Sequence, residues 1–578
     1  MRSEPLPTRR QAIVFTSKVQ ALRLRRTLQN FVRPVAQKPT GSGNRGLQLI
    51  AESRTPLYSE TDPREKRLQL GKVHNLRLVA SRFDGIKLRA GETLSFWSQV
   101  GRPSRSRGFV EGRQIQEGCV IPATAGGICQ LSNALYDVAL KSGMEIVERH
   151  PHTRALARAA WSLGRDATVA WNHIDLRVRA VKDTILKAKL TRNELVVQLF
   201  AKDKSERIGL TLLQSHQTSA NSCETCGMSD CHQHRSMDHT IAEEKCAAIV
   251  DQVWPEFVQI VNECNIALMP IDGERVGIAR YSWTLDSTVQ RVQSRWIALQ
   301  RSWASRRLAE QGAERQCSNL AFDERLANDF AKKIPYEVTH VIVQQNLLPF
   351  LWRTGALGGR TFDVLMTRRP LATLQDILDK ELEQHPERKL LGDFRADTRL
   401  LRDEEEALSE ARRIYTPHSA IAAEFADRAV LLDWCLPVAQ GYKPGDRVAF
   451  PGPTIARKGA YELKKVAQRL GLQVQACGSE LEGPDFWRGV DVRKPSGDWL
   501  GGCCVVVQPA ILEDQPRRLL RAVAEGVPVV TTPACGLDAI EGVTVVQNER
   551  ELQEALIRLE VPRKNTGLAP HRRKSAVL

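Results

Sequence analysis

The chain has 578 residues, enough for roughly three to five folding units at about one to two hundred residues each, so a single small module is excluded. Apolar residues make up 42% and charged residues 26%, which excludes collagen-like and largely disordered classes and leaves a folded globular protein. The formal net charge of +16 points to acidic partners without choosing among nucleic acid, anionic lipid and nucleotide-sugar phosphates.

Residues 1–45 carry ten Lys or Arg against one acid, Glu4. Val19, Leu22, Leu24, Leu28, Phe31 and Val32 fall near one helical face beside Arg23, Arg25 and Arg26. That pattern predicts either a basic amphipathic helix resting on an anionic membrane or a solvated tail with a short helix. Arg or Lys breaks every short apolar run there, and no stretch of about 18 apolar residues occurs anywhere, so neither a signal peptide nor a membrane span is expected. An odd number of cysteines, 13, in a chain without an export signal favours a reducing compartment, the cytoplasm or the inner face of its membrane.

From about residue 66 a basic helical stretch leads into a turn and short strand at Gly91-Glu92-Thr93-Leu94-Ser95-Phe96-Trp97. Gly126 and Gly127 then open a helix with Leu131, Leu135, Val138 and Ala139 at core spacing, which puts Cys129 in its first turn. Unpaired N–H groups and the helix dipole there favour a thiolate. Cys129, with His150 or His152 as base and Asp166 as orienter, has the composition of a thiol site; a small helix-start residue beside an anion-binding Arg149-His150 is the plainer alternative.

The run Phe83-Asp84-Gly85, Gly91-Glu92-Thr93-Leu94-Ser95-Phe96, Val100-Gly101-Arg102-Pro103, Arg107-Gly108-Phe109, Gly126-Gly127-Ile128-Cys129-Gln130-Leu131-Ser132, Arg149-His150 and Gly164-Arg165-Asp166-Ala167-Thr168-Val169 resembles the VanW family across about residues 46–200. That family accompanies some vancomycin-type resistance clusters in bacteria, so the resemblance implies an α+β fold and a cell-envelope setting more than a reaction.

Cys223, Cys226 and Cys231, followed by His232 and His234, form the densest group of potential ligands in the chain. Cys223, Cys226, Cys231 and His234 can complete a tetrahedral zinc set, whereas recruitment of Cys246 or Cys264 would allow an iron–sulfur cluster. A reduced or redox-active thiol group is the alternative, since a single CxxC is present. The polar flanks make residues 216–265 an interdomain knuckle in this reading, with a structural role.

Beyond it, buried strands are predicted at 338–343 and 362–366, an acid-rich helix at 400–411, a strand running into a loop over 413–418 and a helix at 419–425. A second set follows: strand 447–450, helix 459–470, strands 472–477 and 503–508, helix 515–524 and strand 527–531. The alternation predicts two doubly wound domains with a cleft between them, over residues 266–430 and 431–562, preceded by a VanW-like domain at 46–215 and followed by a basic tail at 563–578. The Gly-rich loop at 353–360 either faces the acceptor side of that cleft or is the ordinary punctuation of a helix-to-strand connection.

Phe450-Pro451-Gly452-Pro453-Thr454-Ile455-Ala456-Arg457-Lys458-Gly459 and the segment from Gln508 through Glu513 to Val530 are similar to the donor-site motifs of GT-B glycosyltransferases. The resemblance implies a nucleotide sugar as substrate, with Lys458 toward the diphosphate, Glu513 toward donor hydroxyls, Gly452 among the donor-binding residues, and no catalytic metal. Pro453 stands where that family usually has Arg, and Arg521 where it has a second glutamate. Three functional expectations follow: glycosyl transfer from a nucleotide sugar to a cell-envelope glycan or lipid-linked acceptor; a non-catalytic, metal-bound envelope scaffold with a degenerate glycosyltransferase fold; or a thiol-dependent enzyme centred on Cys129. Nucleic-acid binding ranks below these, because the positive charge lies largely in the tails with no stacking motif beside it.

Overall fold

The structure, a computed structural model, describes residues 9–32, 46–58, 65–116, 119–151, 166–202, 244–308 and 312–562. The Cys223, Cys226, Cys231 and His234 group and His152 lie outside the described residues. The chain divides into two compact units: Met1–Lys245 with Ile334–His340 and Thr354–Thr361, and Cys246–Lys333 with Val341–Arg353 and Phe362–Leu578.

The first unit runs α1 (Arg9–Val32), β1 (Gln48–Pro56), α2 (Lys66–Phe83), β2 (Ile86–Leu88), β3 (Thr93–Ser95), α3 (Phe96–Val100), β4 (Glu111–Gln116), β5 (Cys119–Thr124), α4 (Cys129–Lys141), β6 (Glu145–Glu148), β7 (Arg177–Arg179), β8 (Thr184–Leu190) and β9 (Glu194–Ala201). It holds an antiparallel sheet of order β1-β9-β8-β2, a smaller sheet β3-β7-β6 and the hairpin β4-β5. Leu195, Val197, Leu199 and Ala201 alternate along β9 into the core, the period-two signature of a strand. Helices α2 and α4 cover them with Leu76, Val79, Phe83, Leu131, Leu135 and Val138, the spacing of one helical face.

Buried Asn75 ties this unit together. Its amide donates to Val110 O and Gly126 O at 3.0 and 3.1 Å, and its Oδ1 accepts from Val110 N–H at 3.0 Å. A Cβ on Gly126 would lie 2.2 Å from Gly112 O, so two backbones meet where the turn enters α4.

The second unit begins with β10 (Lys245–Ile249), α5 (Val258–Asn262), β11 (Ile266–Met269), α6 (Gly273–Val276), β12 (Gln290–Gln293), α7 (Arg295–Ser305), α8 (Ala313–Lys333), β13 (Val338–Gln344), α9 (Leu348–Thr354), β14 (Thr361–Leu365), α10 (Leu371–Gln384), α11 (Thr398–Glu410), β15 (Ile414–Thr416), α12 (Ser419–Glu424) and β16 (Ala429–Leu431). It continues with β17 (Pro444–Phe450), α13 (Ala460–Leu470), β18 (Gln473–Ala476), β19 (Asp491–Arg493), β20 (Cys503–Gln508), α14 (Arg517–Ala524), β21 (Val529–Thr531), β22 (Val543–Val545) and α15 (Glu549–Arg558). The strands form two sheets, β12-β11-β10-β13-β14-β15-β16 and β19-β18-β17-β20-β21-β22, with parallel pairings such as Ala247 opposite Ile266 and Val506 opposite Val529. Both orders are those of a doubly wound α/β fold. The mixed α+β and α/β architecture and the pair of Rossmann-like domains are therefore as the sequence predicts.

In β20, Val505 and Val507 face one apolar layer and Val506 the other, which is why the strand reads as a continuous apolar run. Two expectations require correction. β10 and α5 lie inside residues 216–265, so the α/β fold starts near residue 244 rather than at 266, and its opening strand is an inner one, third of the seven. The glycine loop at 353–360 does not face the cleft: Gly358 O and Gly359 O accept from Arg77 Nε and Tyr58 Oη in the first unit, at 2.8 and 2.9 Å. Among the described residues no helix is long and apolar enough to cross a membrane.

Candidate functional site

In an open doubly wound sheet the chain order reverses between two neighbouring strands, and the loops leaving their carboxyl ends diverge to leave a crevice. The reversal falls between β17 and β20 in one sheet and between β10 and β13 in the other. The loops after β17 and β20 line a cavity of about 400 Å³ that includes Gly452, Pro453, Lys458, Gln508, Glu513 and Arg518. A larger cavity of about 570 Å³ is walled by Asp251, Trp254, Gln344 and Asn346 from the first sheet and by Arg457, Lys458, Glu513 and Asp514 from the second. It thus touches both reversal points.

Backbone packing brings Lys458 to Glu513. Gly459 adopts φ +83°, and a Cβ there would lie 2.0 Å from Pro509 O, so the two loops meet at a position suited to glycine. Arg457 O accepts from Ile511 N–H and Leu512 N–H at 3.0 and 3.1 Å, which locks the loops side by side. Lys458 Nζ then sits 2.8 Å from Glu513 Oε2 and 3.4 Å from Leu512 O, with the two side chains 17% and 10% exposed. Glu513 also accepts from the Gln508 amide and, at 3.0 Å, from Gln515 N–H. Burial pushes the Glu513 carboxyl up, but the Lys458 charge and these hydrogen bonds outweigh it and hold the group below the usual carboxylate range.

The adjacent Asp514 behaves oppositely: burial raises it above that range, against the pull of Lys458 and His418. Burial also holds His418 below the usual imidazole range, and its Nε2–H donates to Glu513 O and Ala534 O at 3.1 and 3.2 Å. One carboxylate is kept charged while its neighbour is pushed toward the protonated form, a separation of states that suits a site handling both charge and protons.

At the other reversal point, Arg301 of α7 donates to both oxygens of Asp251 at 2.8–2.9 Å and reaches Asp323 at 3.2 Å. Asn346 adds a 3.0 Å bond to Asp251, and Asp251 N–H donates to Gln344 Oε1 at 2.7 Å. One guanidinium serves two buried carboxylates, and burial pushes Asp323 up to about 7 against the pull of Arg301. A clasp joins the two α/β halves nearby: Arg517 donates to both oxygens of Glu256 at 2.7 Å with its guanidinium over Trp254 at 4.6 Å. Neither group is legible in the sequence, since each draws residues from distant segments.

The departures from the glycosyltransferase pattern are visible too. Pro453 lines the smaller cavity. Arg521 pairs with Asp498 at 2.8 Å and lies over Trp499, while Arg518, one turn earlier, donates to Pro451 O.

In the first unit the candidate thiol residues are held by different partners. Cys129 begins α4, half-buried, with Sγ 3.9 Å from Val169 O. Asp166 receives a two-point grip from Arg149, to Oδ1 at 2.9 Å and to its carbonyl at 2.8 Å. His150 Nε2 faces Glu148 Oε1 at 3.2 Å. Glu148, which no motif in the sequence marks, is the hub: it also accepts two 2.6 Å bonds from Arg26 and one of 3.2 Å from Asp175 N–H. Helix α1 therefore meets this unit through arginines, Arg23 donating to Trp171 O at 2.9 Å, whereas Leu24 and Leu28 are 64% and 60% exposed. Among the described residues no three His, Cys, Asp or Glu side chains gather as a metal site.

The chain is similar in part to known proteins. The family model described as VanW like protein matches residues 71–200. The chain is 32% identical over 132 residues to the uncharacterized protein YoaR of Bacillus subtilis (strain 168), covering 22% of this chain and 43% of that protein. It is 30% identical over 158 residues to the vancomycin B-type resistance protein VanW of Enterococcus faecalis (strain ATCC 700802 / V583), covering 26% and 58%. The chain thus spans about half the length of the curated relatives it matches. Among solved structures, a sucrose-phosphate synthase from Thermosynechococcus elongatus aligns with 55% of this chain and 90% of its own, at 12% identity and a TM-score of 0.35. Residues 71–200, with the Gly-Gly turn and Cys129 at the head of α4, form a VanW family domain.

Proposed function

We propose that the second unit is a glycosyltransferase that takes a nucleoside diphosphate sugar at the β17–β20 reversal point and passes the sugar to a hydroxyl of a cell-envelope glycan or lipid-linked precursor. The observation that carries this reading is Lys458 opposed to ionised Glu513 in a cavity at the carboxyl ends of those strands. An ammonium has three donors; two point to Glu513 and Leu512 O, and the third is available to a phosphate oxygen. In that role Lys458 neutralises charge that develops on the departing diphosphate. Glu513, fixed by Gln508 and Gln515, accepts from donor hydroxyls. The first-sheet wall, with Asp251 and Trp254, faces the acceptor side in this assignment. The envelope setting follows the VanW family domain, and the place of work is the inner face of the membrane.

One observation favours a second reading. Arg521 stands at the usual second glutamate and is engaged by Asp498, which supports a scaffold whose donor site has lost that contact. A heat-shift screen of the full chain against UDP, GDP and ADP sugars separates the two: a ligand at about a hundred times its dissociation constant adds about 2.7 kcal/mol of stability. No shift with any sugar nucleotide at millimolar concentration would leave the scaffold reading.

A further inference from the structure

We infer that the outer face of α7 docks on an anionic lipid bilayer. Trp296, Leu299 and Trp303 recur at i, i+3 and i+7, hence along one stripe, and are 70%, 54% and 59% exposed. The opposite face of the helix is buried through Ala298 and Arg301. An exposed stripe of two indoles and a leucine marks an interaction surface rather than a solvated helix.

Its charge indicates the partner. Arg295, Arg306 and Arg307 are exposed beside the stripe, and the sequence from 290 to 308 contains no acid. The Arg307 guanidinium lies 3.6 Å over the Trp303 ring, so cation and indole share one patch. Indoles settle at the headgroup level of a bilayer, and arginines there meet lipid phosphates. A second apolar segment adjoins it: Val276 and Ile278 are 50% and 39% exposed, and Tyr281, just beyond them, packs against Ala298 of α7.

The placement gives the surface a purpose, which rests on the glycosyltransferase reading. Arg301, on the inward side of the same helix, belongs to the cavity wall, so bilayer and cavity are separated by about one helix diameter, roughly 10–12 Å. A lipid-linked acceptor then reaches the cavity with its tail still in the membrane.

The test is co-sedimentation of the full chain with vesicles of phosphatidylcholine alone or mixed equally with phosphatidylglycerol. Binding is expected to the anionic vesicles, to weaken with added salt, and to fall about ten-fold or more in the Trp296→Ser, Trp303→Ser double variant. Because both side chains are exposed, that variant keeps the wild-type unfolding midpoint and the same sugar-nucleotide response. No binding to anionic vesicles, or equal binding by the variant, overturns the inference. Loss confined to a Leu24→Ser, Leu28→Ser variant assigns docking to α1 instead and also overturns it. So does a concentration-dependent dimer that the Trp variant abolishes without vesicle binding, since the stripe would then belong to a second copy. A protein that binds vesicles but no sugar nucleotide overturns the proposed reaction and leaves the surface standing.

Discussion

Replacing Lys458 with Ala should do more than remove a phosphate contact. Glu513 would remain buried with Gln508 and Gln515 N–H as partners but without the cation that hydrogen-bonds it. Breaking a buried pair by deleting one member costs about 3–5 kcal/mol; the two surviving hydrogen bonds put this site at the lower end, about 3 kcal/mol. At roughly 2–4 °C per kcal/mol, the unfolding midpoint of the second unit should fall by roughly 6–12 °C at pH 7. The sign of the pH effect follows from the carboxyl. In the wild type Glu513 is held below its ordinary value, so its contribution is present above about pH 4.5 and fades as the pH falls through the lower folded value. In Lys458→Ala the amine is gone, burial dominates and the carboxyl rises, so the variant gains stability as Glu513 takes up its proton. The gap between the two proteins should therefore narrow on acidification. Calorimetry of both, of Glu513→Gln and of the double variant closes a thermodynamic cycle with an expected coupling of about 1–3 kcal/mol. A coupling indistinguishable from zero, or a gap that widens at low pH, would refute the idea that the two side chains act as one unit.

Three further outcomes are expected. Asp323, pushed up to about 7, binds a proton in the folded state that the unfolded chain has released, so stability should fall by up to about 1.4 kcal/mol per pH unit between about pH 4 and 7; Asp323→Asn should flatten that slope in a pH series of unfolding midpoints. Burial pushes Cys477 up to about 12, so with limiting alkylating reagent it should label more slowly than Cys129, as mass spectrometry of the native protein would report; an inert Cys129 would remove the thiol-enzyme reading. Elemental analysis of anaerobically prepared protein decides between the two readings of Cys223, Cys226, Cys231 and His234: about one zinc or iron per chain, reduced by Cys226→Ser, supports a metal knuckle, and none supports a reduced thiol group.

The sequence is most informative where burial is continuous. The runs at 338–343 and 503–508 are apolar because both faces of their strands are covered, so their sheets are legible from hydrophobicity alone. β10 escapes such a reading because it opens on Lys245 and Cys246 after a polar, cysteine-rich stretch, and β12 because Gln290–Gln293 is a polar edge strand without alternation. Lys458 and Glu513 are legible as motif positions, since local backbone chemistry, Gly459 above all, dictates their approach. The Asp251, Arg301 and Asp323 network and the Glu256–Arg517 clasp are not, because each depends on the order in which strands lie side by side, which no local pattern encodes. Residue type alone pairs His150 with Asp166; the fold gives His150 to Glu148, two positions away on the end of β6, and gives Asp166 to Arg149.

Hydrogen exchange of the full chain, with and without the sugar nucleotide that gives the largest heat shift, tests the central claim most directly. Protection is expected to concentrate at 451–459 and 508–517, the two loops that close on Lys458 and Glu513, and to be lost in Lys458→Ala. Protection elsewhere with those loops unchanged would contradict it.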